Sequence, residues 1–558
     1  MRCGISASAK SRIPVVGWVF DFYQGVQMKK IKQYLLNLIL PILGYGAAVG
    51  IFTAALVAVY KWCAKHVIEF SVSGYTYLSE HLWLLAIVVP ALFGLAVLFY
   101  LSYKKWPDIR GGGIPTSIGI LRGLITFKWL RNLVGVFVFS LCSFLIGVPL
   151  GNEGPSVQMG TAMGQAVGAP LGKRQKAWGR YAMTGGACVG FSAATGAPIS
   201  GVMFAVEEAH ERISPMILLI ATVSVIFGRI TTELLSPLLG VSIMLFPQMN
   251  LISMSLKDVW IPLLIGAVSG GFAVLFLKYY KLVKKFSEKK LVKVKGVYKI
   301  FAVFLATLVA GLLSTSFVST GHEFILELFH RNVALYMIAL VILVRATLTL
   351  FANTNGVTGG IFLPTLAIGA AVAGLLAEAM VGGFGLSEEY YSLILALGIT
   401  ACIAGMMKMP VTAIVFAVEA LSCYNNVLYV IVVATVAFVV TELFGVHSIN
   451  ESVLKSHVDA QNAGKEQQVF EAFVCVQSGS FAVGKQIRDI FWPANLFVLS
   501  VKKNPDAEAV VDEHGGKVLR VGDVLHVRYM TYDPAETKAD VLAIVGKQEF
   551  SAVGTTVV

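Results

Sequence analysis

The sequence predicts a polytopic α-helical membrane protein with a small α+β domain at its C-terminal end. Three observations predict it. Apolar runs at 33–60, 82–101, 213–236, 256–277, 300–318 and 426–444 have the length that crosses a bilayer core, which takes roughly 20 apolar residues. Only 14% of the 558 residues are charged and 56% are hydrophobic, whereas soluble domains carry about a quarter charged residues. After about residue 462 charge rises, and short alternating runs replace the long apolar ones.

The first 30 residues lack the unbroken apolar core of a secretory signal. Residues 1–32 read as a cytoplasmic leader ending in Lys29, Lys30 and Lys32. The net charge of +12 does not point to nucleic acid. Most of the excess sits in short loops, above all KYYKLVKKFSEKKLVKVKGVYK (278–299), which is the positive-inside signal of a cytoplasmic loop. A multi-pass protein of the cell membrane with both termini in the cytoplasm is expected. The seven cysteines (Cys3, Cys63, Cys142, Cys188, Cys402, Cys423 and Cys475) show no CxxC and no metal-ligand spacing, and read as small apolar side chains.

The membrane part contains an internal repeat. GNEGPSVQMG (151–160) matches GIFLPTLAIG (360–369), and ACVGFSAATGAPISGVMFAVE (187–207) matches ACIAGMMKMPVTAIVFAVE (401–419). The proline-to-glutamate spacing is the same in both copies of the second pair, Pro198 to Glu207 and Pro410 to Glu419. Two matches in the same order argue for duplication, with halves at about 80–240 and 300–445. Inverted halves are the common arrangement in transporters built from broken helices, with the site near the midplane.

Three segments share one pattern: GGGIPTS (111–117), GNEGPSV (151–157) and GGIFLPTL (359–366). In each, glycines precede a proline, and a Ser or Thr follows it into an apolar helix. Proline suits the first helical turn, where its missing N–H would be unpaired anyway. Each segment therefore predicts a helix N-terminus inside the membrane, with free N–H donors and about half a positive charge. Irregular backbone at that depth is tolerated where it lines a cavity or is buried in protein. Three positive helix ends without a nearby Lys or Arg describe a site for a small anion. Glu153 then has a use. Ionised, its carboxylate occupies the anion's place; protonated, it releases that place and carries a proton. An acid in a bilayer is costly enough to need such a reason. Glu207 and Glu208 end the apolar run APISGVMFAVEEAHER. They read either as a second station for protons or as an ordinary helix-end pair facing water.

These residues resemble the CLC chloride channel/transporter family: GGGIP is similar to its GSGIP motif, GNEGP to GxEGP and GGIFLP to GxFxP, in family order over about 33–458. The resemblance implies a homodimer, an anion pathway in each subunit, about eighteen helices per subunit and antiparallel halves. It implies that Glu153 is the external gate and Glu208 the internal proton-transfer acid, with Glu207 beside it. The backbone of Ile361 and Phe362 would bind the anion. Gly112, Gly113, Ile114, Gly154 and Gly360 complete the candidate anion ligands with Asn450. Two departures stand out: Gly112 replaces the family's coordinating serine, and Asn450 its coordinating tyrosine. Weaker central binding and looser selectivity follow. Proline, the nitrate-associated residue, is absent from the serine position, so chloride is the expected substrate. Glu208 favours a chloride/proton antiporter, and a passive voltage- or pH-gated chloride channel of the same fold is the alternative.

Beyond a linker at 459–467, strands are predicted at 469–476, 496–503, 507–513 and 517–529, with a helix at 482–491. Residues 468–548 resemble an RCK C-terminal (TrkA-C type) domain, followed by a tail at 549–558. That resemblance implies a dimerising regulatory module of prokaryotic type. It takes a small ligand such as a cyclic dinucleotide, or serves dimerisation alone. No enzymatic activity and no resident cofactor are expected. An intramembrane metal enzyme would need the Glu207-x-x-His210 pair twice, and the duplicated FAVEALSC lacks the histidine.

Overall fold

The computed structural model describes residues 35, 39–111, 113–168, 176–503, 508–512, 515–546 and the backbone of 551–557. The predicted leader and Gly112 lie outside the described residues. Among the described residues, seventeen α-helices fall between Leu40 and Gln461, and an eighteenth, Pro534–Val545, belongs to the C-terminal domain. Among the described residues, ten helical segments are long and apolar enough to cross a membrane. The protein is thus a multi-pass membrane protein.

Between the spans lie helices too short to cross. Ile114–Arg122 has 9 residues and Pro198–Phe204 has 7, and at 1.5 Å per residue they reach about 14 Å and 11 Å into a core of about 30 Å. Their ends therefore lie within the protein at intermediate depth. Two interruptions are equivalent in the two halves. Trp129–Ile146 stops at Gly147, in the left-handed conformation at φ 80°, and the chain restarts as Glu153–Gly168. Leu335–Thr354 stops, and the chain restarts as Phe362–Glu378. The restart segments pair with each other: Gly151 N–H donates to Gly360 O at 2.7 Å, and Gly360 N–H to Gly151 O at 2.8 Å. Such a reciprocal antiparallel bridge is what a local two-fold axis between inverted halves produces.

The second repeated pair is reciprocal as well. Pro198–Phe204 and Pro410–Ala420 both begin with proline and lack a side-chain cap from the preceding residue. The repeat's own glutamates supply one across the halves. Glu207 accepts from Val411 N–H (2.8 Å), Thr412 N–H (2.6 Å) and the Thr412 hydroxyl (2.7 Å). Glu419 accepts from Ile199 N–H, Ser200 N–H and the Ser200 hydroxyl, each at 2.8 Å. A carboxylate at a helix start satisfies orphan donors and meets the favourable end of the dipole. The equal proline-to-glutamate spacing is this lock, read twice.

The C-terminal domain is an antiparallel sheet of order β2-β3-β1-β4, with β1 Gln468–Cys475, β2 Leu496–Lys502, β3 Val524–Thr531 and β4 Ser551–Val557. Leu525, Val527 and Tyr529 point inward from β3, and Val541, Ile544 and Val545 of the last helix cover them. Three expectations are corrected here. Segment 482–491 carries only a 3-10 turn, Ile487–Asp489, because Gly484 adopts φ 79° and its flanks bond to 515–519 instead. In 508–512 only one bridge forms, Val510 with Val501. The strand expected at 517–529 starts later, at Val524, after a turn through Gly522. The helix Pro534–Val545 was not anticipated, although Asp533 caps it by accepting from Glu536 N–H at 3.1 Å, and DPAE is a helix-start signature.

If the crossed caps lock the halves, Glu207→Ala and Glu419→Ala should each cost about 1 kcal/mol of stability, the usual scale of a lost N-cap. Thermal unfolding in detergent should show similar losses for both. An effect of Glu207→Ala alone would mean the two locks are not equivalent.

Candidate functional site

The three glycine-proline segments meet at one point. A Cβ on Gly154 would lie 2.6 Å from Gly360 Cα and 3.1 Å from Gly113 Cα, and a Cβ on Gly360 would lie 2.7 Å from Gly154 N. Only glycine permits three backbones to approach so closely. Gly113 also needs its freedom for φ 108°. Helices Ile114–Arg122, Glu153–Gly168 and Phe362–Glu378 all begin at this junction, so their unbonded N–H groups converge there. Their prolines (Pro115, Pro155 and Pro364) fall at the second or third helical position. Ile114, Gly154, Ile361 and Phe362 are buried at these tips. One donor is spent within the protein: Gly113 N–H donates to Gln158 Oε1 at 2.5 Å. Gln158 is in turn fixed by donating to Asp108 O (3.1 Å) and Asn132 Oδ1 (3.2 Å). Gln158, four residues after Gly154, is a polar residue that no motif marks.

Glu153 stands in this junction, wholly buried, and neither carboxylate oxygen completes a hydrogen bond. A Cβ on Gly151 would clash with its Oε2 and would also meet Leu363 Cβ at 3.0 Å. The backbone N–H groups of Leu363 and of Glu153 itself act on it, and the charge of Lys61 acts on it from the helix Leu40–Glu80. This charge corrects the expectation of helix ends with no cation nearby. Lys61 is the first charge in the helix Leu40–Glu80, after 21 uncharged residues, which was the available signal. Its ammonium is held by the carbonyls of Ala193 (3.2 Å), Ala194 (3.3 Å) and Ser242 (3.0 Å). The Phe362 ring is gripped edge-on by Phe191 (5.2 Å) and Phe416 (5.7 Å), one from each half. Thr358 fixes the strand leading to Gly360, sharing a 2.7 Å hydrogen bond with the Tyr103 hydroxyl.

The two adjacent acids separate. Glu207 forms the cap described above, while Glu208 turns inward and is buried. Adjacent side chains on a helix point about 100° apart, and within the π-helical turn Ala205–Ala209 that separation leaves Glu208 facing inward and Glu207 facing the second half. Glu208 Oε1 accepts from Asn450 Nδ2 at 3.1 Å, and Asn450 is itself fully buried with Oδ1 unpaired. Arg122 is close but otherwise engaged: it donates to the carbonyls of Glu208 (2.8 Å) and Ala209 (3.0 Å), and pairs with Glu211 (2.8 Å) and Glu451 (3.4 Å). His210 shares a 2.9 Å hydrogen bond with the Thr184 hydroxyl. Among the described residues, no group of three or more His, Cys, Asp or Glu side chains is placed to hold a metal ion.

The segment after Glu208 receives the C-terminal domain. Ser214 Oγ donates to Asp489 Oδ1 at 2.9 Å, and the Tyr181 hydroxyl donates to Asp489 O. Arg180 donates to Trp492 O at 2.9 Å and pairs with Asp540 at 3.2 Å. The Phe491 ring packs on Tyr181 (4.2 Å), His210 (4.5 Å) and the Arg212 guanidinium (4.9 Å).

Comparison with known proteins agrees with this architecture. The family model described as "Voltage gated chloride channel" matches residues 93–442. The H(+)/Cl(-) exchange transporter ClcA of Vibrio parahaemolyticus is 27% identical over 403 residues, covering 69% of this chain and 82% of that protein. ClcA of Salmonella arizonae is 25% identical over 445 residues, covering 77% of this chain and 92% of its own length. A slow cyanobacterial Cl-/H+ antiporter superposes with TM-score 0.68 at 24% identity, over 76% of this chain and 99% of that structure. A CLC-type fluoride/proton antiporter gives 0.57 at 18% identity, over 73% and 96%. Three converging helix tips, an acid among them and a matching family model over most of the membrane part lead to one conclusion: the chain belongs to the voltage-gated chloride channel (CLC) family.

Proposed function

We propose that this protein exchanges chloride for protons across the membrane, with Glu153 as the group both ions share. The observation that carries the reading is the Glu153 carboxylate, buried without a hydrogen bond where three helix N-termini converge. A buried carboxylate costs several kcal/mol unless compensated. Converging N–H groups compensate it, and they compensate a halide equally well. Carboxylate and chloride therefore compete for one place. Protonation removes the carboxylate's claim, so chloride enters as a proton is taken up. The backbone of Ile361 and Phe362 is the chloride-facing tip of the second half, with Gly154, Gly360, Gly113 and Ile114 forming the rest of the cradle. Glu208 passes protons between Glu153 and the cytoplasm, and Glu207 serves as a helix cap. The names of the bacterial relatives, H(+)/Cl(-) exchange transporters, support exchange over passive conduction.

The site is complete within one chain, which suits a homodimer of two independent pathways. Lys284, in the basic stretch 278–299, donates to the Ser456 hydroxyl at 2.6 Å on the helix leading to the C-terminal domain. That domain thus shares the positively charged side, which supports a cytoplasmic C-terminus in a prokaryotic membrane. By its resemblance to RCK C-terminal domains, it regulates transport, with a small ligand such as a cyclic dinucleotide as its effector class. Its docking on 210–214 gives it access to the segment bearing Glu208.

In vesicles, a chloride gradient should drive protons uphill; chloride flux with no proton movement would make the protein a channel. Glu153→Gln and Glu208→Gln should each reduce proton movement to background while chloride still crosses. Asp489→Ala combined with Phe491→Ala should speed amide hydrogen exchange across 205–214 severalfold. Unchanged exchange there would separate the domain from the proton path.

A further inference from the structure

Asn450 touches the proton-transfer acid directly, and one side of its amide is left over. Nδ2 donates to Glu208 Oε1 at 3.1 Å, whereas Oδ1 has no partner although the side chain is fully buried. Buried polar atoms are almost always paired, and an exception calls for a reason. The charged groups acting on Glu208 are Arg122 from the helix Ile114–Arg122, and Glu207 and Glu211 from its own segment. Glu451 follows Asn450 on the helix Ile449–Gln461 and bonds Arg122 rather than Glu208. Arg122 spends its donors on the carbonyls of Glu208 and Ala209 and on Glu211 and Glu451. Glu207 is committed to Val411 and Thr412. The Asn450 amide is therefore the group positioned to respond to the protonation of the Glu208 carboxyl.

An ionised carboxylate only accepts hydrogen bonds, whereas a carboxylic acid also donates one. The primary amide offers a donor on one side and an acceptor on the other, and half a turn about its terminal torsion exchanges them. We infer that Asn450 is a positioning residue whose amide turns over with the protonation of Glu208, donating to the carboxylate and accepting from the acid. Each turn also inverts what the amide shows on its far side. With Glu208 ionised, the far side is a carbonyl oxygen, which repels an anion. With Glu208 protonated, it becomes an NH2 donor, which attracts one. A proton on Glu208 and an anion beside Asn450 thus favour each other, so the amide ties proton loading to anion occupancy. This rests on the exchange reading above.

The deciding experiment is pH-difference infrared spectroscopy of the full chain carrying carboxamide-13C asparagine, with the Asn450 band assigned by its absence from Asn450→Leu. The band should shift as Glu208 titrates, and the shift should vanish in Glu208→Gln. A band that ignores pH in the native protein overturns the inference, whatever transport does. In vesicles, the proton-to-chloride ratio from reversal potentials should fall severalfold in Asn450→Leu and lose its dependence on internal pH. Asn450→Gln should restore at least half of it. A native ratio and pH profile in Asn450→Leu would also overturn the inference. If the native protein moves no protons, exchange itself fails and the infrared shift alone decides. If Asn450→Leu does not fold, Asn450→Gln replaces it for the band assignment, with the same two outcomes.

Discussion

Contact between backbones, with no side chains between them, is the constraint on which this molecule is organised. Gly113, Gly154 and Gly360 bring three chain segments together at distances a single Cβ would forbid. Each segment is held there by its own anchor: Gln158 for the first, the Gly151–Gly360 bridge for the other two. Convergence of helix starts is electrostatically unfavourable by itself, because like ends of three dipoles face one another. Something negative must share the space, and a fold that pays for this arrangement has committed to binding anions. On the exchange proposed above, the acid at Glu153 keeps the junction neutralised when no other anion is there.

The two halves of the membrane part stabilise each other at the same places where they create function. The bridge that sets the tips in register also closes the two-fold relation. The crossed caps from Glu207 and Glu419 fasten the short helices beside it. Phe191 and Phe416, one per half, clamp the ring of Phe362. Duplication has thus given a pair of surfaces that complement each other, while the asymmetry lies in a few side chains. The position equivalent to Glu153 in the second half is Phe362, so one half contributes the acid and the other an aromatic wall.

The sequence revealed what depends on local chemistry. Glycine-proline pairs announced buried helix starts and the repeat announced two related halves, because both are written in adjacent residues; the crossed glutamate caps that lock the halves were not foreseen. The different fates of Glu207 and Glu208 were not legible, since their partners, Val411 and Thr412 for one and Asn450 for the other, lie more than 200 residues away in the chain. Lys61 was overlooked because its partners are carbonyls of residues far away in the chain. Within the C-terminal domain the well-patterned strands β1 and β2 were readable, and 482–491 was not. Its apolar spacing suits a helix, but long-range bonds to 515–519 hold it extended around one short turn.

The handling of full positive charge explains why helix ends carry the site. A cation about 4 Å from Glu153 would bind it by about 4 kcal/mol at an effective dielectric constant near 20, whereas each helix end contributes about 0.3–1 kcal/mol, rising to about 2 when partly buried. Exchange between carboxylate and chloride requires that neither win by much. Two cations of the membrane part, Lys61 and Arg345, are tied to carbonyl oxygens instead. Lys61 closes on Ala193, Ala194 and Ser242, and the fully buried Arg345 closes on the carbonyls of Ser316, Val318 and Ser319. These groups secure chain reversals and supply a diffuse field. On the proposed exchange, dipoles fixed in the backbone do the selecting, because their attraction is weaker than that of a full cation and lets an admitted ion leave.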